Sequence, residues 1–567
     1  MNRSSIIQSL HRSSWGSDWK KYLVLAACLA LAGCERCGTK KADPRSHIHR
    51  SSEAVFEVND IGVLAKRHKQ LLALTTGIIT PAQLDGLKNQ MTRWLGFDPT
   101  DAAKLKEAGL ATEGRAVGSF GERGRDLLWI LPVSDEAKFK TTVKAMVETR
   151  RRVDATKEEE TKSGKITIYS TSWGNETLPV AAVVIKKGLG FVGMGPASSK
   201  LVTDAINLKA ENSILQHPEY QALDKSLGES QIARLIVPTA TVSASQALVG
   251  QAQALLPDKK LIQVIKSLGW TFGWEKQKLT VQSRFRLDKK TIQDIQGVLK
   301  PIAPRSDIMK QINDSSSVLS VHATGNPQKL IELVTQPDTP IKKEYDALSA
   351  MVKTQLGIDL NKDVLSLLNG HAAASARLID LSSVTNLQAI MQNPAALARY
   401  SVAVGIKGKE WEKRLDAILL NFESQLESKG LSRTSKNERG LSVDTVSFNG
   451  QMIMESYISD NAWVLSNDDQ QLKALIAKKK ATVSGGLSNL GGVHATLNIV
   501  PLRTALEKVD VGRLSGSGLG GPMVRAAIAK VLQVLARFEK LDAKIEGAPD
   551  GVAFKASLSL SELPAQK

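Results

Sequence analysis

Cysteine is nearly missing from this chain: of three, the last is Cys37, and the 530 residues that follow carry none. The folded body therefore holds no disulfide framework, no cysteine-ligated zinc and no cysteine nucleophile. Long apolar runs are missing too. The most apolar stretch, Tyr22 to Gly33, falls short of the ~20 residues that a membrane-spanning helix needs. There is no G-x-S-x-G elbow, no H-E-x-x-H and no P-loop. His217, His322, His371 and His494 each lack a sequence neighbour that would make a ligand pair, and His47 with His49 lacks further ligands. The charge balance is basic, +18 from 75 cations and 57 acids, yet no long basic run stands out and nucleic acid is not an expected partner.

The chain is organised from its N-terminus. Lys20-Lys21 precedes Tyr22-Leu-Val-Leu-Ala-Ala-Cys-Leu-Ala-Leu-Ala-Gly-Cys34, and a polar run, Glu35 to Lys41, follows. A basic flank, a short apolar core and small residues before a cysteine make a secretory signal. Leu31-Ala32-Gly33-Cys34 resembles the lipobox of bacterial lipoproteins. The resemblance implies cleavage before Cys34, diacylglycerol on its thiol, and recognition of Leu31, Ala32 and Gly33 by the signal peptidase. The leader, Met1 to Trp19, is longer than most. Glu35 is not the aspartate that signals inner-membrane retention in enterobacterial lipoproteins, so the resemblance implies an envelope protein at the outer membrane. Cys34-Glu35-Arg36-Cys37 matches C-x-x-C, but lipidation consumes Cys34 and leaves Cys37 as an odd thiol.

Residues 1–33 hold four cations and one acid, which leaves 71 against 56, a net +15 over 534 residues. At ~100 to 200 residues per domain that length suggests two to four domains. The excess of cations favours an anionic envelope component as partner: lipid headgroups, lipopolysaccharide or an acidic polymer. Residues 34–53, with Pro44, serines and no apolar period, read as a polar tether.

From residue 54 the sequence repeats in order. Leu95-Gly96-Phe97-Asp98 returns as Leu356-Gly357-Ile358-Asp359, and in both copies a further glycine, Gly109 or Gly370, follows thirteen residues after the first. Ala54 to Val58 answers Ser317 to Val321, Leu235 to Pro238 answers Leu497 to Pro501, and Leu279 to Leu287 answers Val552 to Leu560. The expected organisation is a signal peptide at 1–33, a tether at 34–53, units at 54–290 and 317–561, a connector at 291–316 and a tail at 562–567. Close hairpins such as Ala181 to Met194 demand antiparallel pairing. The expected fold class is α+β: two tandem homologous units, each a mostly antiparallel sheet with helices packed on one face. Alternation in Leu279 to Leu287 points Thr280, Gln282, Arg284 and Arg286 to solvent.

Several motifs invite chemistry. Gly188-Leu-Gly-Phe-Val-Gly193 fits G-x-G-x-x-G, but its counterpart, Asp460 to Leu465, has no glycines, and the strand runs on where a phosphate-binding helix must start. Asp98 and Asp359 read as caps of short helices rather than paired catalytic carboxylates. Trp270, Phe272 and Trp274 read as sheet packing rather than a sugar platform. Arg150 to Arg152 and Lys478 to Lys480 follow amphipathic helices and complement their dipoles. Leu514 to Pro522 is a glycine-rich surface loop. No cofactor, metal or catalytic residue is expected. The sequence points to a non-enzymatic binding or scaffolding lipoprotein; an envelope hydrolase with a site between the repeats and a periplasmic lipid carrier are the alternatives.

Overall fold

A computed structural model describes residues 43–561 apart from internal stretches, the longest of them 71–81, 239–263, 303–311, 384–396, 415–429, 478–490 and 510–520. The chain divides into two compact units between Asp288 and Lys289. No described helix is long and apolar enough to cross a membrane.

The first unit is built on ten strands: β1 (Ala54–Val58), β2 (Ala116–Phe120), β3 (Leu127–Pro132), β4 (Ala155–Thr161), β5 (Gly164–Trp173), β6 (Glu176–Lys186), β7 (Leu189–Met194), β8 (Ala233–Val237), β9 (Ile265–Glu275) and β10 (Lys278–Leu287). Every pairing among them is antiparallel, in the order β4-β5-β6-β7-β3-β2-β1-β8-β9-β10. Among its described helices are α1 (Ala102–Glu107), α2 (Glu136–Glu148), α3 (Ser198–Ile206) and α4 (Pro218–Leu227).

Two glycines of β7 show how those helices sit. A Cβ at Gly190 would lie 2.4 Å from the Phe139 ring of α2, and one at Gly193 would lie 2.5 Å from the Ser198 carbonyl that opens α3. Residues 190 and 193 point to opposite faces of a strand. The α+β antiparallel class is therefore observed with one difference: helices cover both faces of this sheet, not one. The core on the α3 and α4 side joins Val55, Val117, Ile130, Val184, Phe191, Tyr220 and Leu223. The strand β10 differs from expectation as well. Thr280, Gln282, Arg284 and Arg286 are half-buried, and Arg286 donates to Glu219 of α4.

Residues 43–53 are part of this unit rather than a tether. A 3-10 turn, Pro44–His47, is capped by Asp43. Ile48 is fully buried, its carbonyl accepts from the Ile214 amide at 2.7 Å, and the His47 ring meets Phe191 edge-on at 5.1 Å. Ile48 and His47 are isolated anchors in a polar run, and such anchors leave no period to read.

The second unit opens with α5 (Lys289–Leu299), so the expected connector begins as helix; Ile312, also assigned to it, is fully buried in the unit's core. Then come β11 (Leu319–Thr324), α6 (Pro327–Val334), α7 (Pro340–Leu356), β12 (Leu368–Leu378), β13 (Ala398–Ile406), β14 (Leu431–Glu438), β15 (Leu441–Phe448), β16 (Gln451–Ser459), β17 (Ala462–Ser466), α8 (Asp469–Ile476), β18 (Gly492–Asn498), α9 (Ile499–Glu507), α10 (Gly521–Leu535), β19 (Phe538–Ala548) and β20 (Gly551–Leu560). All pairings are again antiparallel, in the order β14-β15-β16-β17-β13-β12-β11-β18-β19-β20. Counted within each unit, that is the same strand order as the first.

Candidate functional site

Two features of the described residues stand apart from ordinary packing, one in each unit. The first is a buried charge cluster around Glu57. All five residues of β1 are buried, and Glu57 is fully so. An ionised carboxylate there requires partners. The register puts Arg234 of β8 directly opposite, donating at 2.9 Å. Arg115 lies 3.8 Å away and Arg45, from the 3-10 turn, 4.0 Å. The Tyr220 hydroxyl of α4 donates to the same carboxylate, and Asp224, one turn on, accepts from Arg234 and, at 3.4 Å, from Arg45. Asp43 closes the set on Arg45. Burial raises the Asp43 carboxyl, but hydrogen bonds from Arg45 outweigh it and hold the group below the usual carboxylate range. Burial and the Glu57 charge both push the Tyr220 phenol up. Three guanidiniums and three carboxylates balance. The cluster holds β1, β8, α4 and the 43–47 turn together; nothing in it is a nucleophile poised beside a base. At the matching positions the second unit has Ser320 opposite Thr496 and no charge.

The second feature is the central sheet of the second unit, where polarity is reversed. Successive side chains of a strand point to opposite faces. On β12, Asn369, His371, Ala373 and Ser375 are buried while Ala372, Ala374 and Ala376 are half-exposed. On β11, Ser320 and His322 are buried, whereas Leu319 is 42% exposed. Register carries this across five strands. One face has Ser375 beside Ser320 and Thr496, and His322 directly opposite His494. It is a hydrogen-bonded face: Gln471 of α8 accepts from Ser401, and Asp542 accepts from Thr496 at 2.7 Å. Burial raises Asp542, but the hydrogen bonds from His494, Thr496 and Lys540 outweigh it, and its carboxyl sits far below the usual range.

The opposite face is apolar and open. It carries three rows running across the strands. Ala376, Leu319, Leu497, Leu541 and Leu558 form one; Ala374, Val321, Ala495, Ala543 and Ala556 the next; Ala372, Ala323, Val493, Ile545 and Phe554 the third. Val493 is 44% exposed and Ile545 47%. All the exposed large apolar side chains among the described residues belong to this unit. The first unit covers more of the same face: Phe56, Leu235 and Leu268 are buried, Trp270, Phe272 and Val281 are half-buried, and Phe56 meets Trp129 edge-on at 6.2 Å. Where the second unit has Ala543 and Ala556, the matching sheet positions hold Phe272 and Val281.

The residues singled out in the sequence fall as follows. Cys34, Leu31, Ala32 and Gly33 lie outside the described residues, as do Arg150 to Arg152, Lys478 to Lys480 and positions 514–520 of the glycine-rich loop. Gly188 takes φ +74 in the β6–β7 turn, the strand runs through Gly193, and its glycines make room for Phe139 and Ser198. Asp359 caps a helical turn by accepting from the Asn361 and Lys362 amides; in the first copy that role belongs to Asp101, which accepts from Ala103, rather than to Asp98. His217 caps α4. Trp274 is buried under Arg67, 5.4 Å from its ring, and Trp270 meets Phe285 edge-on at 6.1 Å. No group of three or more His, Cys, Asp or Glu among the described residues is arranged to hold a metal. The open apolar face was missed. Its signal was the alternation in Leu319 to Thr324 and Val493 to Leu497, which shows an apolar and a polar face but not which one is covered.

The fold and this surface define a two-unit antiparallel α+β protein in which the apolar sheet face of the first unit is more fully covered than its counterpart in the second. Residues 120–378 match a family described as "Protein of unknown function (DUF3352)". No curated protein matches the chain. Solved structures of TP0453 align at low similarity: crystal form IV at 13% identity and TM-score 0.25, over 46% of this chain and 86% of that one; crystal form III at 14% and 0.25, over 47% and 92%; crystal form I at 12% and 0.24, over 45% and 84%.

Proposed function

We propose that the protein is a lipid-anchored, non-enzymatic binding protein of the bacterial cell envelope, held at the outer membrane by diacylglycerol on Cys34, and that the open apolar face of its second unit is the binding surface. We infer also that the two units descend from one by duplication; the shared strand order supports this. The observation behind the binding reading is the reversed polarity of that sheet. Leaving leucine, valine and isoleucine in water while serine and histidine are buried forgoes ~25 cal/mol per Å2 of apolar surface, which a bound apolar partner restores. An environment-sensitive hydrophobic dye tests it. The native protein should enhance the dye's fluorescence, and Leu319→Thr with Ile545→Thr should abolish the enhancement while far-UV circular dichroism stays unchanged. Equal enhancement from the double variant would place the binding surface elsewhere.

A further inference from the structure

The geometry points to the occupant of that face: one acyl chain of an anionic membrane lipid, lying along the alanine row. This rests on the binding reading above and names its ligand. The middle row has a floor of short side chains, Ala374, Val321, Ala495, Ala543 and Ala556. The leucine row flanks it on one side and the row ending in Ile545 and Phe554 on the other. Same-face rows are two residues apart, so the flanking rows lie about 13 Å from each other and leave room for a single hydrocarbon chain above the alanine methyls. Five strands at ~4.8 Å spacing make the trough ~19 Å long. One leaflet of a bilayer offers ~15 Å of hydrocarbon. The length and width fit an extended acyl chain, whereas a globular partner asks for a broad patch.

The ligand's charge is read from α10, which packs against β19. Over Gly521–Leu535 the helix carries Arg525 and Lys530 and no acid. Such a helix beside an apolar trough suits an anionic headgroup. An anchor at Cys34 would keep the chain at a membrane, where acyl chains are the apolar partner at hand.

The protein, anchored in vesicles of phosphatidylglycerol and phosphatidylethanolamine, is irradiated with a trace of phosphatidylglycerol bearing a photoactivatable acyl chain, and crosslinked peptides are mapped. Crosslinks should fall on β11, β12, β18 and β19. Ala543→Trp, which fills the trough, should reduce them at least tenfold, with circular dichroism unchanged; Ala543→Ser should keep them. A phosphatidylcholine probe should crosslink several-fold less. Crosslinks confined to α10 would mean surface docking on the bilayer and would overturn the trough. Crosslinks that survive Ala543→Trp would overturn it too, as would none at all. Dye binding at the face without crosslinks leaves the binding reading standing and sinks the acyl chain. A chain that Ala543→Trp converts from dimer to monomer, without lipid, would make the occupant a second copy.

Discussion

Glu57 faces Arg234, Arg115 and Arg45 with no solvent to share the load. Replacing it by Gln leaves three guanidiniums around a neutral amide, and breaking a buried pair from one side typically costs ~3–5 kcal/mol. Glu57→Gln should lower the first unit's urea midpoint accordingly, and Arg234→Met in the same chain should recover part of the loss, because it removes one of the stranded charges. Asp542 behaves differently because it titrates. Its folded pKa lies below that of an unfolded aspartate, ~3.9, so its contribution is present above that value and is lost as pH falls through the depressed one. Unfolding of the second unit followed from pH 7 down to pH 2 should show stability falling below about pH 4, and Asp542→Asn should flatten that fall. Such partners were out of sight in the sequence. Glu57 and Arg234 are 177 positions apart, and only the β1–β8 register brings them together, whereas the cap at Asp359 was legible because it is local.

Strands, taken as elements, carry the contrast between the units. Phe56 and Leu319 hold the same place, on the first strand of each unit and on the same face, yet one is 2% exposed and the other 42%. Phe56→Ala removes a packed ring and should cost ~3–5 kcal/mol. Leu319→Ala removes a side chain that already meets solvent and should stay within ~1 kcal/mol. Chemical denaturation of the two variants, read unit by unit, checks the pair; equal losses would mean the second unit's face is closed. The alternation that makes these strands was legible in Leu279 to Leu287 and in Val552 to Leu560. Which face the helices cover was not, because that depends on what packs above a strand. Gly190 and Gly193 illustrate the point: their spacing imitates a phosphate loop, and the reason for both is a helix arriving on either side.

At the scale of the whole molecule, the chain divides into two compact units after Asp288, where the sequence reading ends the first unit at residue 290. The ten-strand order could not be read, since hairpins fix only neighbours and β1 lies between β2 and β8, far apart in sequence. Ile48 and Ile312 also went unread as anchors, one in a presumed tether and one in a presumed connector. The first of them shortens the span after Cys34: with residues 43–53 folded onto the first unit, only residues 35–42 separate Cys34 from the body. Eight residues reach at most ~28 Å, so a lipidated Cys34, as proposed, would hold the first unit close to the headgroups. On the proposed anchoring, the net +15 of residues 34–567 would add to the attachment without replacing it, because electrostatic adsorption is screened by salt and a covalent lipid anchor is not. Cys34→Ala should therefore leave the chain with its leader uncut, or release it from membranes washed in 1 M NaCl, where the wild type stays in the pellet. A variant that is cut at the same place and withstands the salt wash would show that something other than Cys34 anchors the protein.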